Sequence, residues 1–414
     1  MQVQRVERGD WRKWVKPTNL EAKPIHRWFV FPHSFSAELV DELIDEWSLT
    51  GGCVLDPFVG AGTTVVAARE RGVGAVGIDI SPLAVFITNA KARSYKTTEL
   101  HSIWREVRMQ ACKLMGRRLS PGSDVPDLLS RAFSPEVLAY LLEIRALLHS
   151  LQDQYSRDFF TLGLLAVLKD FSKLVGDGGW LRKVDRSPEV ADIFKAYDGV
   201  VNSMLDDISQ PCPSDSDQPD ASWYAVKGDA RRLDRLSLDR FDGVITSPPY
   251  PNRHDYTRIF SIELLFDFVD SREIKELRYQ TFQSHVESKP KRVVPKEYVE
   301  PKVLENAVND LMERGAENRI IAMLKGYALD LYLTLSSMRQ VIKPGAPVAF
   351  VVGNVRYNGV MVLVDEMLVS LGLQLGYGDF EVNVARRRGN SAQQMRDYKK
   401  APARESVVIM KAPL

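Results

Sequence analysis

The run Asp56-Pro57-Phe58-Val59-Gly60-Ala61-Gly62-Thr63-Thr64 follows a short apolar stretch, Cys53-Val54-Leu55. Gly60 and Gly62 remove side chains where a backbone must turn and come close to a ligand. Further on, Asp79 ends a second apolar stretch, Gly74 to Ile78. A carboxylate at that position can take both hydroxyls of a ribose. The loop lacks the G-x-G-x-x-G of a dinucleotide fingerprint. It also lacks the Gly-Lys-Ser/Thr that would bring a lysine to phosphates. The pattern suits a ligand with a ribose and no phosphate, and S-adenosylmethionine is such a ligand.

The second run is Thr246-Ser247-Pro248-Pro249-Tyr250. Its two prolines fix the backbone and remove two donors, which leaves carbonyl oxygens to accept from an amine. The Ser247 hydroxyl adds a donor or acceptor, and Tyr250 adds a flat face for a planar ring. Together they describe a cradle for an exocyclic amine on an aromatic heterocycle. Plain Gly-rich and Pro-rich turns are the bland readings. The strand-end setting of both runs weighs against them.

Both runs need a scaffold. Ser36 to Trp47 reads as an amphipathic helix with Leu39, Leu43, Ile44 and Trp47 on one face and Ser36 as its cap. Strands are expected at 53–55, 74–78, 225–227, 241–246, 348–352 and 406–410. Helices are expected at 65–71, 319–341 and 362–371. Gly72 should end the first of these. Residues 95–200 have helical spacing, 209–222 read as a polar linker, and 261–318 read as charged and irregular. Strands alternating with helices, with each special loop at a strand's carboxyl end, imply an α/β fold. Its sheet should be open, mostly parallel and doubly wound, with the ligand crevice at those ends. The expected division is 1–94 with the cofactor-binding half, 95–220 as a helical insertion and linker, and 221–260 as the catalytic half. A second insertion spans 261–325, and 326–414 completes the domain.

Composition narrows the class. The 414 residues, 45% of them apolar, allow a large core, and 55 basic against 54 acidic residues exclude a uniformly basic binder. Three cysteines exclude a disulfide scaffold and suit a reducing cytoplasm. No stretch is apolar enough to span a membrane, and no histidine stands at metal-ligand spacing, so neither membrane nor metal is an expected partner.

The loop Asp56 to Thr64, Gly77-Ile78-Asp79 and Thr246 to Tyr250 resemble the motifs of amino-methylating DNA methyltransferases, over about half the chain. The resemblance implies a Rossmann-like class I methyltransferase fold, S-adenosylmethionine as cofactor and double-stranded DNA as substrate. A cognate restriction endonuclease is a candidate partner. The Ser-Pro-Pro-Tyr form is similar to that of cytosine-N4 enzymes, whereas adenine-N6 enzymes more often carry Asp or Asn at the position of Ser247. Carried over by residue, Phe31-Pro32-His33-Ser34-Phe35 would close over the methionine end of the cofactor. Asp56, Phe58, Gly60, Gly62 and Thr63 would belong to its loop. Asp79 would bind ribose and Asp229 the adenine amine, with a helix cap as the plain alternative for Asp229. Ser247, Pro248, Pro249 and Tyr250 would hold a flipped base for direct methyl transfer. Asn354 and Arg356 would lie near the base pocket. Other readings are an adenine-N6 enzyme, an RNA or guanine-N2 methyltransferase, and a non-catalytic nucleic-acid-binding protein on the same fold. Pro211-Cys212 imitates the nucleophile pair of C5 methyltransferases, but it sits in the polar linker rather than at a strand end.

DNA contacts need local positive charge. From Arg386, Arg387 and Arg388 through Arg396, Lys399, Lys400 and Arg404 stand seven basic residues with one acid, Asp397. This segment is expected to be a basic loop touching phosphates. Lys289, Lys291, Arg292 and Lys296 form a second cluster, and Lys169 to Lys183 a third candidate. Either insertion, or both, could read the target.

Overall fold

The computed structural model describes residues 3–177, 180–210, 222–252, 254–388 and 402–414. In chain order the strands are β1 (Gln4–Glu7), β2 (Cys53–Asp56), β3 (Gly74–Asp79), β4 (Leu174–Asp177), β5 (Trp180–Lys183), β6 (Trp223–Lys227), β7 (Gly243–Thr246), β8 (Pro347–Gly353), β9 (Val355–Tyr357), β10 (Val360–Val362), β11 (Gly378–Arg388) and β12 (Ala403–Lys411). Eight of them form one sheet in the order β1-β11-β12-β8-β7-β2-β3-β6. The pairs β8-β7, β7-β2, β2-β3 and β3-β6 are parallel. Strand β12 runs antiparallel to both neighbours, and β1 joins the edge parallel to β11. The expected mostly parallel α/β fold is the one observed.

Alternation along each strand explains the two-sided cover. Leu55, Val76, Val244, Phe350 and Val408 face one core, shared with the helices Asn318–Met338 and Val364–Gln374. Their neighbours Val54, Ala75, Ile245, Val351 and Val407 face a second core, shared with the helices Ala37–Glu46 and Thr63–Glu70. Ser36 sits at the N-terminus of the first of these helices, but its hydroxyl makes no capping bond. A third core joins the helices between Thr97 and Ile208 to Trp28, Phe29 and Phe260.

Three expectations are corrected. Residues 261–318 are not irregular: they hold the helices Ser261–Asp267, Glu273–Gln280 and Lys302–Glu313. The last buries Leu304, Ala307, Val308 and Leu311, a plain helical stripe masked in sequence by the charges around it. The helical stretch 95–200 is interrupted by the antiparallel hairpin β4-β5. Arg386 to Arg388 are not in a loop but end β11, paired with Arg404 and its neighbours on β12. Arg396, Lys399, Lys400, Asp397 and Cys212 lie outside the described residues. No described helix is long and apolar enough to cross a membrane.

Candidate functional site

The sheet order places β2 beside β7, where successive connections leave in opposite directions, and ligands of such sheets bind outside the carboxyl ends there. A cleft of about 1230 Å³, open mouth included, lies at this point. It gathers Phe31, His33, Asp56, Phe58, Gly60, Thr63, Asp79 and Asp229 with Ser247, Pro248, Pro249 and Tyr250.

Asp56 ends β2 and is buried. One oxygen accepts from the Thr246 hydroxyl at 2.6 Å and from the Phe58 amide at 3.1 Å; the other accepts from the Thr64 hydroxyl at 2.7 Å. The carboxylate thus ties the glycine loop to the end of β7. Burial pushes its carboxyl up to about 6. Gly60 turns through φ +52°, and its amide donates to Asp79 at 3.0 Å. The other Asp79 oxygen accepts from the Ser81 amide at 2.9 Å. Each oxygen keeps a lone pair for a further donor. Burial also raises this carboxyl to about 6. Phe31 stacks on Phe260 with ring centres 4.2 Å apart and forms one wall; a side chain on Gly60 would meet it at 3.4 Å.

The chemistry of this cradle fits S-adenosylmethionine. It offers aromatic walls, a half-buried carboxylate with open acceptor capacity, and a loop in which Gly60 carries no side chain. The one described arginine in its lining, Arg231, is spent on Asp229 and Asp330, so no cation is arranged for phosphate.

Beyond β7, the Ser247 hydroxyl donates to the Val351 carbonyl of β8 at 3.0 Å. The Tyr357 hydroxyl donates to the Pro251 carbonyl, which holds the Pro-Pro turn from outside. Tyr250 is only 8% exposed, and its hydroxyl donates to Glu405 at 3.4 Å. The Arg388 guanidinium stands 6.0 Å from the centre of its ring. Gly353 makes room for both: a Cβ there would lie 2.8 Å from the Tyr250 ring and 2.7 Å from Arg388. His33 packs edge-on against His254 at 4.5 Å. Burial first, then His254 and Arg388, lower its imidazole to about 4.

Other expected residues sit elsewhere. Gly62 is outside the cleft lining; it caps the helix Thr63–Glu70 at φ +83° against Thr88. Asp229 lines the cleft, and it is also the helix cap considered from sequence, accepting from the Arg231 amide and guanidinium. Asn354 is buried away from the cleft, its side-chain oxygen accepting from the Asp365 amide at 3.2 Å. Arg356 is likewise absent from the lining. Three members of the basic clusters are committed internally, among them Arg404, which pairs with buried Asp365. Arg386 pairs with buried Glu405, and Arg292 pairs with buried Asp330 and Gln283. Arg387 pairs with exposed Glu7, and Lys291 is exposed.

Sequence reasoning missed Tyr256, Phe260, Thr281, Phe282, Ser284 and His285, all in the lining. All but the first two come from the segment read as irregular. The apolar spacing at Phe260, Leu264 and Leu265 was the available signal.

Comparison with known proteins agrees with this geometry. Residues 4–89 match the N6/N4 family model described as DNA methylase. The chain is 29% identical to the Type II methyltransferase M.BsoBI of Geobacillus stearothermophilus, covering 97% of this chain and 88% of that one. It is 27% identical to the Type II methyltransferase M.AvaI of Nostoc, covering 97% and 89%. A shorter likeness, 33% over 81 residues, links it to the Type II methyltransferase M.MjaII of Methanocaldococcus jannaschii, covering 20% of this chain and 15% of that one. In sheet order, cleft and end-to-end sequence the chain is similar to DNA methyltransferases of the N6/N4 group, enzymes whose methyl donor is S-adenosylmethionine.

Proposed function

We propose that the chain methylates the exocyclic N4 amine of a cytosine flipped out of duplex DNA, as a Type II modification enzyme. The observation that carries this reading is the Ser247 hydroxyl. Its proton is committed to the Val351 carbonyl, so its oxygen is left to accept. An amine whose protons are held by that oxygen and by the Pro248 carbonyl turns its lone pair out of conjugation with the ring and toward the cofactor side of the cleft. Tyr250 supplies the stacking face, and its bond to Glu405 fixes that face.

S-adenosylmethionine supplies an electrophilic methyl on a positive sulfur. Around it, Asp79 takes the ribose hydroxyls, Gly60 lets the backbone approach beside Thr63, and Phe31 and Phe58 cover the apolar parts. Asp229 offers the lone pairs that Arg231 leaves over to the adenine amine. Asp56 holds the two loops at fixed spacing. Catalysis is then positioning of nitrogen against methyl with water excluded, and no covalent intermediate is formed. Arg388, beside Tyr250, meets a phosphate near the flipped nucleotide, as does exposed Lys291. The helical insertion and the segment 261–325 carry target recognition.

The test is incubation with labelled S-adenosylmethionine and mixed-sequence DNA, followed by mass spectrometry of the nucleosides. N4-methylcytosine is the expected product. N6-methyladenine would overturn the choice of base, and unmethylated DNA with methylated RNA would overturn the substrate.

A further inference from the structure

Lys91 is a buried cation to which the methyl-transfer chemistry assigns no part. It lies near the end of the helix Pro82–Ala92 and is 2% exposed. No described carboxylate forms an ion pair with it. Instead its ammonium donates to three backbone carbonyls: His26 at 2.9 Å, Phe29 at 2.6 Å and Ala61 at 3.1 Å. Ala61 stands between Gly60 and Gly62 in the cofactor loop. His26 and Phe29 belong to the segment that delivers Phe31 to the cleft. One turn earlier on the same helix, the Thr88 hydroxyl donates to the Gly60 carbonyl at 3.4 Å. The upstream segment has a second tether: the Asp207 carboxylate accepts from the Ile25 amide at 3.0 Å and from the Trp28 indole at 2.9 Å.

A buried ammonium without a counter-ion is costly, and a Leu or Met would fill this site without burying a charge. Three protons meet three carbonyls drawn from two separate segments. We propose that Lys91 is a positioning residue for the methyl donor, its ammonium fixing the glycine loop against the Phe31 wall so that its protonation governs cofactor affinity. The inference rests on the cofactor lying in the cleft between β2 and β7.

Protonation matters because a neutral amine has only two protons for the three carbonyls. Burial lowers this ammonium to about 7, so the third bond is lost as pH rises through neutrality. The titratable neighbours do not reproduce that loss. His26, on the upstream turn, is held neutral by burial, with Glu70 and Lys23 next to it. Arg93, two residues on, is paired with Asp158 of the helix Gln154–Phe171. In the cleft, Asp56 and Asp79 ionise at about 6 and change affinity in the opposite sense.

The experiment measures S-adenosylmethionine affinity by calorimetry across pH for the parent, Lys91→Met and Asp79→Ala. The parent should bind most tightly between the two transitions and weaken about tenfold as pH rises past 7. Lys91→Met should be about tenfold weaker at neutral pH and flat above it, and its DNA affinity without cofactor should equal the parent's. Equal affinity and the same alkaline limb in parent and Lys91→Met would overturn the proposal. Should Lys91→Met not fold, proton uptake by the parent on cofactor binding, read from two buffers of different ionisation heat just above pH 7, decides instead; no uptake refutes it. Asp79→Ala separates the premises. If it binds normally, the cleft assignment fails; if it is weak while Lys91→Met is normal, only the role of Lys91 fails.

Discussion

The three arginines that end β11 make unequal predictions although they are adjacent. Side chains alternate along a strand, so Arg386 and Arg388 share one face and Arg387 points to the other. Arg388 reaches the Tyr250 ring, whereas Arg387 pairs with Glu7 on the edge strand β1. Arg386 is spent on Glu405, whose side chain is 5% exposed. Every arginine that stops neutralising a phosphate lowers the slope of log affinity against log salt by about 0.9, so three free arginines would lower it by about 2.7. The geometry allows only Arg388 to act in this way. Arg388→Gln, and equally the triple variant, should lower the slope by about 0.9, with affinity falling alike on all sequences. Arg387→Gln should leave the slope unchanged. Arg386→Gln should instead destabilise the fold by about 3 kcal/mol, since it leaves a buried carboxylate unpaired. It should also slow methylation, because Glu405 holds the Tyr250 hydroxyl. Fluorescence anisotropy of a labelled duplex across a salt series, with denaturant unfolding of each variant, gives all these quantities. A slope change near 2.7 in the triple variant, or none in Arg388→Gln, would refute the reasoning.

Asp79→Ala removes the acceptor for the ribose hydroxyls and should weaken S-adenosylmethionine by about 1–3 kcal/mol; calorimetry equal to the parent would sink that role. Hydroxyls donate to the ionised carboxylate, so parental affinity should also fall as pH drops through about 6. In the ligand-free fold the sign is opposite. Burial favours the neutral acid, so the stability this group contributes is full below the ordinary carboxyl range and is lost as pH rises through about 6. Chemical denaturation over that window reads it. Cys212→Ser should retain methylation while Tyr250→Ala loses most of it, and a folded but inactive serine variant would reopen thiol chemistry. Gly62→Ala should cost about 1–2 kcal/mol from its left-handed backbone alone, and more from a Cβ 2.9 Å from the Thr88 hydroxyl. Unchanged unfolding would show that the turn relaxes freely.

What the sequence revealed follows from locality. The two loops at β2 and β7 and the acid at β3 each sit at the end of an apolar run, so their strand-end positions were readable. Ser247 could be read as a hydrogen-bonding group but not as an oriented acceptor, because its orienter, Val351, is 104 residues away. The role of Asp229 as a cap was open from sequence, and its tie to Arg231 and Asp330 was not. Charge density misled at Arg292 and Arg386: whether an arginine meets solvent or a buried carboxylate depends on Asp330 and Glu405, which lie in other elements. The helix Lys302–Glu313 kept a correct apolar stripe, but its charged surroundings resembled a loop.

The bond from Thr246 to Asp56 spans 190 residues, and it has a consequence for synthesis. Strand β2 gains β3 on one side almost at once, since Gly74 follows closely. Its other edge must wait for Gly243 to Thr246. At about 5–20 residues per second, that wait is roughly 10–40 s on the ribosome. During it, an apolar strand edge is open to wrong partners, and the buried Asp56 carboxylate lacks the Thr246 hydroxyl. The helices from Thr97 to Ile208 emerge within this interval. The nascent cofactor half is thus the aggregation-prone stage of this enzyme's life, and chaperone dependence should be greatest for chains arrested before β7.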